Sequence, residues 1–306
     1  MDTPLISFII IDRGGNDTAL KECVESVLAL QLREEEREII VVGDGTPLTE
    51  FNAAESFADE TLLVRQPKAG TSAARNLGLR IACGKYIQIL DAGTLLLPAA
   101  YGHCVDVARY NSPEIITFHA TAKAANDTPC TEEKSLDGIR FMRETGASLP
   151  DACRLLFTAR TATGLSFNTE VTDESADEEF ATLLILRADT ITQTDTAACC
   201  RKDNNEHKGV DRRNKRLVAE RLDDDLALIL RLDNIAQRMP PAPQKVLRRR
   251  VALLTAEYLV DVLKLTRSRR QMKLRVETLR QRALFPIAYS GRSAKYFLIN
   301  KLCAFL

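Results

Sequence analysis

The sequence has no excess of charge of either sign, since 42 Lys and Arg are balanced by 42 Asp and Glu among 306 residues. Without such an excess no global field draws the chain to nucleic acid or to anionic membranes. It also lacks paired cysteines: eight are present, none forms a CxxC pair, and Cys199 and Cys200 are adjacent. That spacing is poor for zinc and gives no disulfide framework. Most of these cysteines sit in apolar runs, where a thiol behaves as a small hydrophobe, so the sequence predicts reduced thiols and a cytoplasmic location. No apolar stretch reaches the roughly 20 residues needed to cross a bilayer. The first residues, MDTPLISFIII, carry no basic segment, and Asp12–Arg13 end the apolar run, which therefore reads as a buried strand rather than a signal peptide. Internal repeats and low-complexity tracts are missing too.

What is present is an alternation. Leu5–Ile11 is a continuous β-branched and aromatic run, as expected of a strand covered on both faces. Leu20, Val24, Val27 and Leu28 follow at helical spacing. Glu38–Val42 is a second buried strand ending at Gly43–Asp44–Gly45–Thr46, residues 51–58 read as a helix, and Leu62–Val64 as a short strand. Thr71 or Ser72 is placed to cap a helix running to about Ala82, with Gly84 ending it, and Lys85–Leu90 is the next strand. Tyr101–Tyr110 reads as a helix, Glu114–His119 as a strand, and Thr121–Thr131 as a polar loop. Leu155–Ala162, Glu179–Arg187 and the Thr190–Cys200 stretch complete this part, and the acidic string ESADEE before the second of them reads as a solvated helix start. The pattern predicts an α/β fold with a largely parallel sheet, and loops 11–16, 43–46 and 91–94 should gather at its carboxyl edge, where such sheets bind ligands. A charged polar run at 203–216 marks a boundary between domains at 1–205 and 206–306. Beyond it helical patterns cover Leu217–Gln237, Val246–Leu265 and Leu274–Leu284, with Pro240, Pro241 and Pro243 breaking the chain.

The most specific segment is QPKAGTSAARNLGLRIACGKYIQILD, Gln66–Asp91. Together with EIIVVGDGT before it and AGT after it, it resembles the nucleotide-binding half of family 2 glycosyltransferases, which usually read EIIVVDDGS, GxSxARNxGL and GxYIxFLDADD. The likeness covers about the first 120 residues well and extends more weakly to DEEFATLLILRA. It implies a GT-A fold, Rossmann-like with a mostly parallel central sheet, followed here by a C-terminal α-helical region. It also implies a nucleotide-sugar donor and a polysaccharide or lipid-linked acceptor. Carried over by position, it makes Asp12, Arg13, Asp44, Arg75 and Asp91 nucleotide-binding residues and Asp177 the catalytic base. Asp44 would accept from the nucleobase, and Asp91 would lie near the ribose and diphosphate and be the metal ligand. Three acids of the pattern are replaced, by Gly43, Gly93 and Ala176, and the aromatic of the first turn is absent.

The departure at Gly93 bears on the chemistry. A diphosphate leaving group gains negative charge, which Mn²⁺ or Mg²⁺ held by carboxylates usually stabilises. Glycine offers no side-chain oxygen, so with Asp91 alone metal affinity should fall, and Arg13, Arg75 or Lys68 could pair with the phosphates instead. Two readings therefore stay open: a transferase, and a non-catalytic relative that binds or assembles and has lost the metal centre. The C-terminal part also leaves two readings. From Lys245 to Arg282 there are twelve Lys or Arg against Glu257, Asp261 and Glu277. This suits either peripheral contact with anionic lipid at the inner membrane face or a helical subdomain with a solvated basic face. No aromatic residues interleave with the charge, which speaks against nucleic acid as a partner.

Overall fold

The computed structural model describes residues 3–14, 16–45, 60–122, 127–129, 132–145, 149–201, 214–287 and 294–304. The helix expected over 51–58, Cys130 and most of the polar run at 203–216 lie outside them. The chain divides into two compact units, Met1–Glu144 with Ser148–Glu206, and Thr145–Ala147 with His207–Leu306.

In the first unit the strands are β1 (Ile6–Asp12), β2 (Arg37–Asp44), β3 (Leu62–Gln66), β4 (Tyr86–Asp91), β5 (Thr94–Leu96), β6 (Ile115–Thr121), β7 (Glu133–Leu136), β8 (Leu155–Thr158) and β9 (Ile191–Arg201). They form one sheet in the order β3-β2-β1-β4-β8-β6-β9-β5, with β7 also on β9. The four strands at the β3 end run parallel, while β8 pairs antiparallel with both β4 and β6. All seven residues of β1 are buried, as expected of a mostly apolar strand covered on both faces. The helices are α1 (Asp17–Leu28), α2 (Thr71–Ile81), α3 (Pro98–Tyr110), α4 (Gly138–Thr145) and α5 (Asp173–Arg187). α1 buries Leu20, Cys23, Val24 and Val27, the stripe read from the sequence, and Asn16 caps it by accepting from the Ala19 N–H at 3.0 Å.

Two details place the edge of the sheet. The parallel register sets Ile11 beside Asp91, Asp12 beside Gly43, and Asp44 beside Gln66, so the carboxyl ends of β1 to β4 are level. Helix α2 lies close on β1 because Gly78 has no side chain: a Cβ there would stand 2.3 Å from Ile9 Cγ2. Arg75, one turn earlier on the same face, is thereby brought over the sheet.

Several local expectations change. The N-cap of α2 is Gly70, with no side-chain cap from Thr71 or Ser72, which are buried instead. α2 ends at Ile81, and Gly84 serves a packing role, its N–H donating to the buried Ser7 Oγ at 2.7 Å. The acidic string ESADEE does open a helix, which starts at Asp173 with Asp173 and Glu174 in its first turn, where the helix dipole favours acids. β7 and α4, at four and eight residues, are too short for their patterns to stand out in the sequence.

The second unit contains α6 (Lys215–Gln237), α7 (Pro241–Leu265), α8 (Arg269–Gln281) and α9 (Ala294–Ala304). The proline cluster ends one helix and also starts another. Pro241 opens α7, where its missing N–H needs no partner. Arg275 of α8 fastens three helices. It donates to Tyr258 Oη at 3.2 Å and to the Ala219 carbonyl at 3.4 Å, and pairs with Asp223 at 2.8 Å. None of the helices among the described residues is long and apolar enough to cross a membrane.

Candidate active site

Arg75 is the centre of the carboxyl edge. It is 5% exposed, and its guanidinium reaches two carboxylates from different elements. Nη2 donates to Asp91 Oδ1 and Oδ2 at 3.3 and 3.4 Å, and Nη1 donates to Asp177 Oδ1 at 3.3 Å. The guanidinium also lies over the Phe167 ring, 5.2 Å from its centroid. Phe167 stacks on Phe180 of α5 at 4.1 Å and is held from α2 by Asn76. Asn76 Nδ2 donates to the Phe167 carbonyl at 2.8 Å, and its Oδ1 accepts the Phe167 N–H at 2.7 Å. The neighbouring Arg and Asn of the sequence motif thus have distinct roles: Asn76 fixes the ring on which Arg75 rests.

The two carboxylates are tuned in opposite directions. Burial alone would push Asp91 up, but Arg75, Arg13 and Arg201 bring it below the ordinary carboxylate range, so it is ionised. Asp177 is raised to about 7, chiefly by burial and further by repulsion from Asp151 and Asp91, against the pull of Arg75 and of the Ala152 N–H. A part-buried carboxyl that is half ionised near neutrality is matched to taking a proton. Cys153, whose thiol is pushed well above its usual range by burial and by Asp91, stays protonated with Sγ 3.8 Å from Asp91 Oδ2.

The remaining expected residues surround this pair. Asp44 is buried, and its carboxylate orders the loop before α2: it accepts from Gln66 Nε2 at 3.0 Å, from the Ala69 N–H at 2.7 Å and from the Gly70 N–H at 3.0 Å. Asp44 and Asp91 are therefore joined through the segment that carries Arg75. Asp12 accepts from the Gly14 N–H at 3.0 Å and shapes its own turn, leaving Arg13 exposed beside it. Sequence reasoning missed Asp151 and Arg201. Arg201, the last residue of β9, meets Asp151 through Nη1 and Nη2, each at 3.0 Å. A base ending the apolar run AACC was as visible as the acid ending QIL, and was the available signal.

A divalent cation fits these residues poorly. Both oxygens of Asp91 face a guanidinium, Gly93 supplies no ligand, and no group of three His, Cys, Asp or Glu suited to a metal occurs among the described residues.

With this geometry in place, comparison with known proteins is decisive. The family model for glycosyl transferase family 2 matches residues 11–161, which take in the carboxyl end of β1, all of β2, β3 and β4, and the Arg75–Asp91 pair. Residues 11–161 belong to glycosyl transferase family 2. Asp177 and Arg201 lie beyond the part of the family 2 domain that the model spans. A curated relative, the uncharacterized glycosyltransferase EpsJ of Bacillus subtilis (strain 168), is 33% identical over 116 residues, 37% of this chain and 33% of that protein. The chain thus spans about a third of the length of the curated relative it matches. Among solved structures, S. aureus TarS 1-349 in complex with UDP-GlcNAc is similar at a TM-score of 0.57 and 14% identity, covering 97% of this chain and 90% of that one. Mannosyltransferase PcManGT from Pyrobaculum calidifontis, in complex with GDP-Man and Mn²⁺, is similar at 0.56 and 14%, covering 99% and 85%. These likenesses place the fold of the chain among GT-A structures.

Proposed function

We propose that the chain transfers a sugar from a nucleotide-sugar donor to a polysaccharide or lipid-linked acceptor, with Asp177 as general base. The observation that carries this reading is the part-buried Asp177, raised to about 7 and hydrogen-bonded to the same Arg75 that holds ionised Asp91. Solved relatives of the same fold bind UDP-GlcNAc and GDP-Man, which supports a nucleotide sugar as donor. In the reaction the acceptor hydroxyl oxygen bonds to the anomeric carbon and its proton passes to Asp177. The bond from that carbon to the diphosphate oxygen breaks, and its electron pair leaves with the nucleoside diphosphate. Asp91 and Arg75 set the field at the donor, and the loop ordered by Asp44 borders the place for the base.

The basic helices α7 and α8 are assigned peripheral contact with the inner membrane face, where a lipid-linked acceptor would be met. A second reading, a non-catalytic binding relative, draws on Gly93 in place of the second acid. Release of UDP or GDP from a panel of nucleotide sugars, measured for wild type and Asp177→Asn, separates the two. Turnover lost in the variant supports the transferase, and donor binding with no turnover in either protein supports the binding relative.

A further inference from the structure

The turn that should hold the metal has a backbone suited to no carboxylate, and it lies between two arginines. Gly93 has φ +98°, in the left-handed region that side chains rarely adopt. On one side, β1 and β4 are in register at Ile11 and Asp91, and the Ala92 N–H donates to the Ile11 carbonyl at 2.9 Å. Arg13, two residues past Ile11, is exposed at that edge. On the other side, β5 and β9 pair Thr94 with Arg201. Arg201 is oriented by its two-point pair with Asp151, and its side chain keeps 30% exposure. Those two bonds use two of the five guanidinium N–H groups, so three remain.

We infer that Arg13 and Arg201 grip the donor diphosphate from the two sides of the Asp91–Thr94 turn, in place of a divalent cation. The inference rests on the reading of this edge as a nucleotide-sugar site. Planar guanidinium groups match phosphate oxygens in a two-point geometry and carry charge at any working pH. Arg75 is excluded from this role because it is buried and committed to Asp91 and Asp177. Both proposed arginines also help to keep Asp91 ionised, which is consistent with a field centred on the turn.

The test is titration calorimetry of the full chain with UDP and GDP, in EDTA and in Mn²⁺, with uridine and guanosine as controls. At least one nucleoside diphosphate should bind in EDTA as tightly as in Mn²⁺. Arg201→Met and Arg13→Met should each weaken that binding about tenfold or more, ~1.4 kcal/mol, and leave nucleoside binding unchanged. Should Arg201→Met fail to fold, Arg201→Lys, which keeps the charge and gives up the two-point geometry, should show a smaller loss that is again confined to the diphosphates. Binding that requires Mn²⁺, or arginine variants that bind diphosphate normally, would overturn the inference and leave the donor site standing. Absence of binding to either diphosphate in both conditions would overturn the donor site and this inference together.

Discussion

Asp177→Asn should abolish turnover while making the protein more stable. The wild-type carboxyl has a folded pKa of about 7 against an ordinary 3.8, because burial opposes its charge. A group whose pKa is raised on folding contributes stability that is complete below the unfolded value and lost as pH rises through the folded one. The window is therefore pH 4 to 7, and at 1.36 kcal/mol per unit the loss at neutrality is roughly 4 kcal/mol. Asparagine has the shape of the protonated acid and never ionises. Its oxygen still accepts from Arg75 or the Ala152 N–H. The variant and the wild type should be nearly equal in stability at pH 4 and diverge to roughly 3–4 kcal/mol in the variant's favour by pH 7.5. For a unit of this size that is a melting temperature higher by roughly 6–16 °C. Over the same range kcat/KM of the wild type should rise with an apparent pKa of about 7. The variant should be slower by about 10²–10⁴-fold, the usual contribution of a general base. Urea titrations at several pH values, paired with nucleotide-release assays, measure both. A variant that is no more stable at pH 7.5, or that turns over within a few-fold of wild type, refutes the argument.

Asn76→Ala removes both hydrogen bonds that hold the Phe167 backbone, and urea denaturation should show a loss of about 2–4 kcal/mol. Gly78→Ala, which on helix propensity alone would stabilise by about 1 kcal/mol, should instead destabilise by about 1–3 kcal/mol in the same assay, since the new Cβ meets Ile9. Gly93→Asp should lose about 1–2 kcal/mol to its left-handed backbone and gain no tight Mn²⁺ binding by calorimetry. Ala283→Gly should stabilise by about 1 kcal/mol in thermal melts. Ala283 sits at φ +57° in the turn closing α8, where the Ala283 N–H reaches the Arg280 carbonyl and the Leu284 N–H reaches that of Leu279.

The parallel half of the sheet was legible because β1 and β4 are buried on both faces and mostly apolar, Ser7 and Gln88 being the polar residues before the terminal acids of Ile6–Asp12 and Tyr86–Asp91. The edge where Asp12, Asp44 and Asp91 lie followed from strand direction alone. Pairings between distant segments did not: Arg75 and Asp177 are 102 residues apart in sequence, and only the seating of α2 on β1 and of α5 beside it brings them together. The acidic string ESADEE looked like a solvated helix start. Asp173 and Glu174 fit that description, whereas Asp177, one turn on, faces inward. The expected α2 cap failed for a related reason. Thr71 and Ser72 had the right chemistry, but the loop held by Asp44 turns them into the interior and leaves Gly70 as the cap.

In the proposed transfer, the charges at the edge also constrain the order of events. With the acceptor unreacted, Arg75 carries one positive charge against an ionised Asp91 and an Asp177 that must be ionised to act. The three groups then sum to one negative charge, which opposes a developing anion nearby. When Asp177 takes the acceptor proton the sum becomes zero, just as the leaving diphosphate gains its extra charge. Proton transfer to the base therefore removes repulsion from the leaving group, through a guanidinium that contacts both carboxylates. This coupling needs Arg75 buried and fixed, which is what the missing side chain at Gly78 and the Asn76–Phe167 clamp provide. It also leaves the task of meeting the diphosphate itself to cations outside the triad.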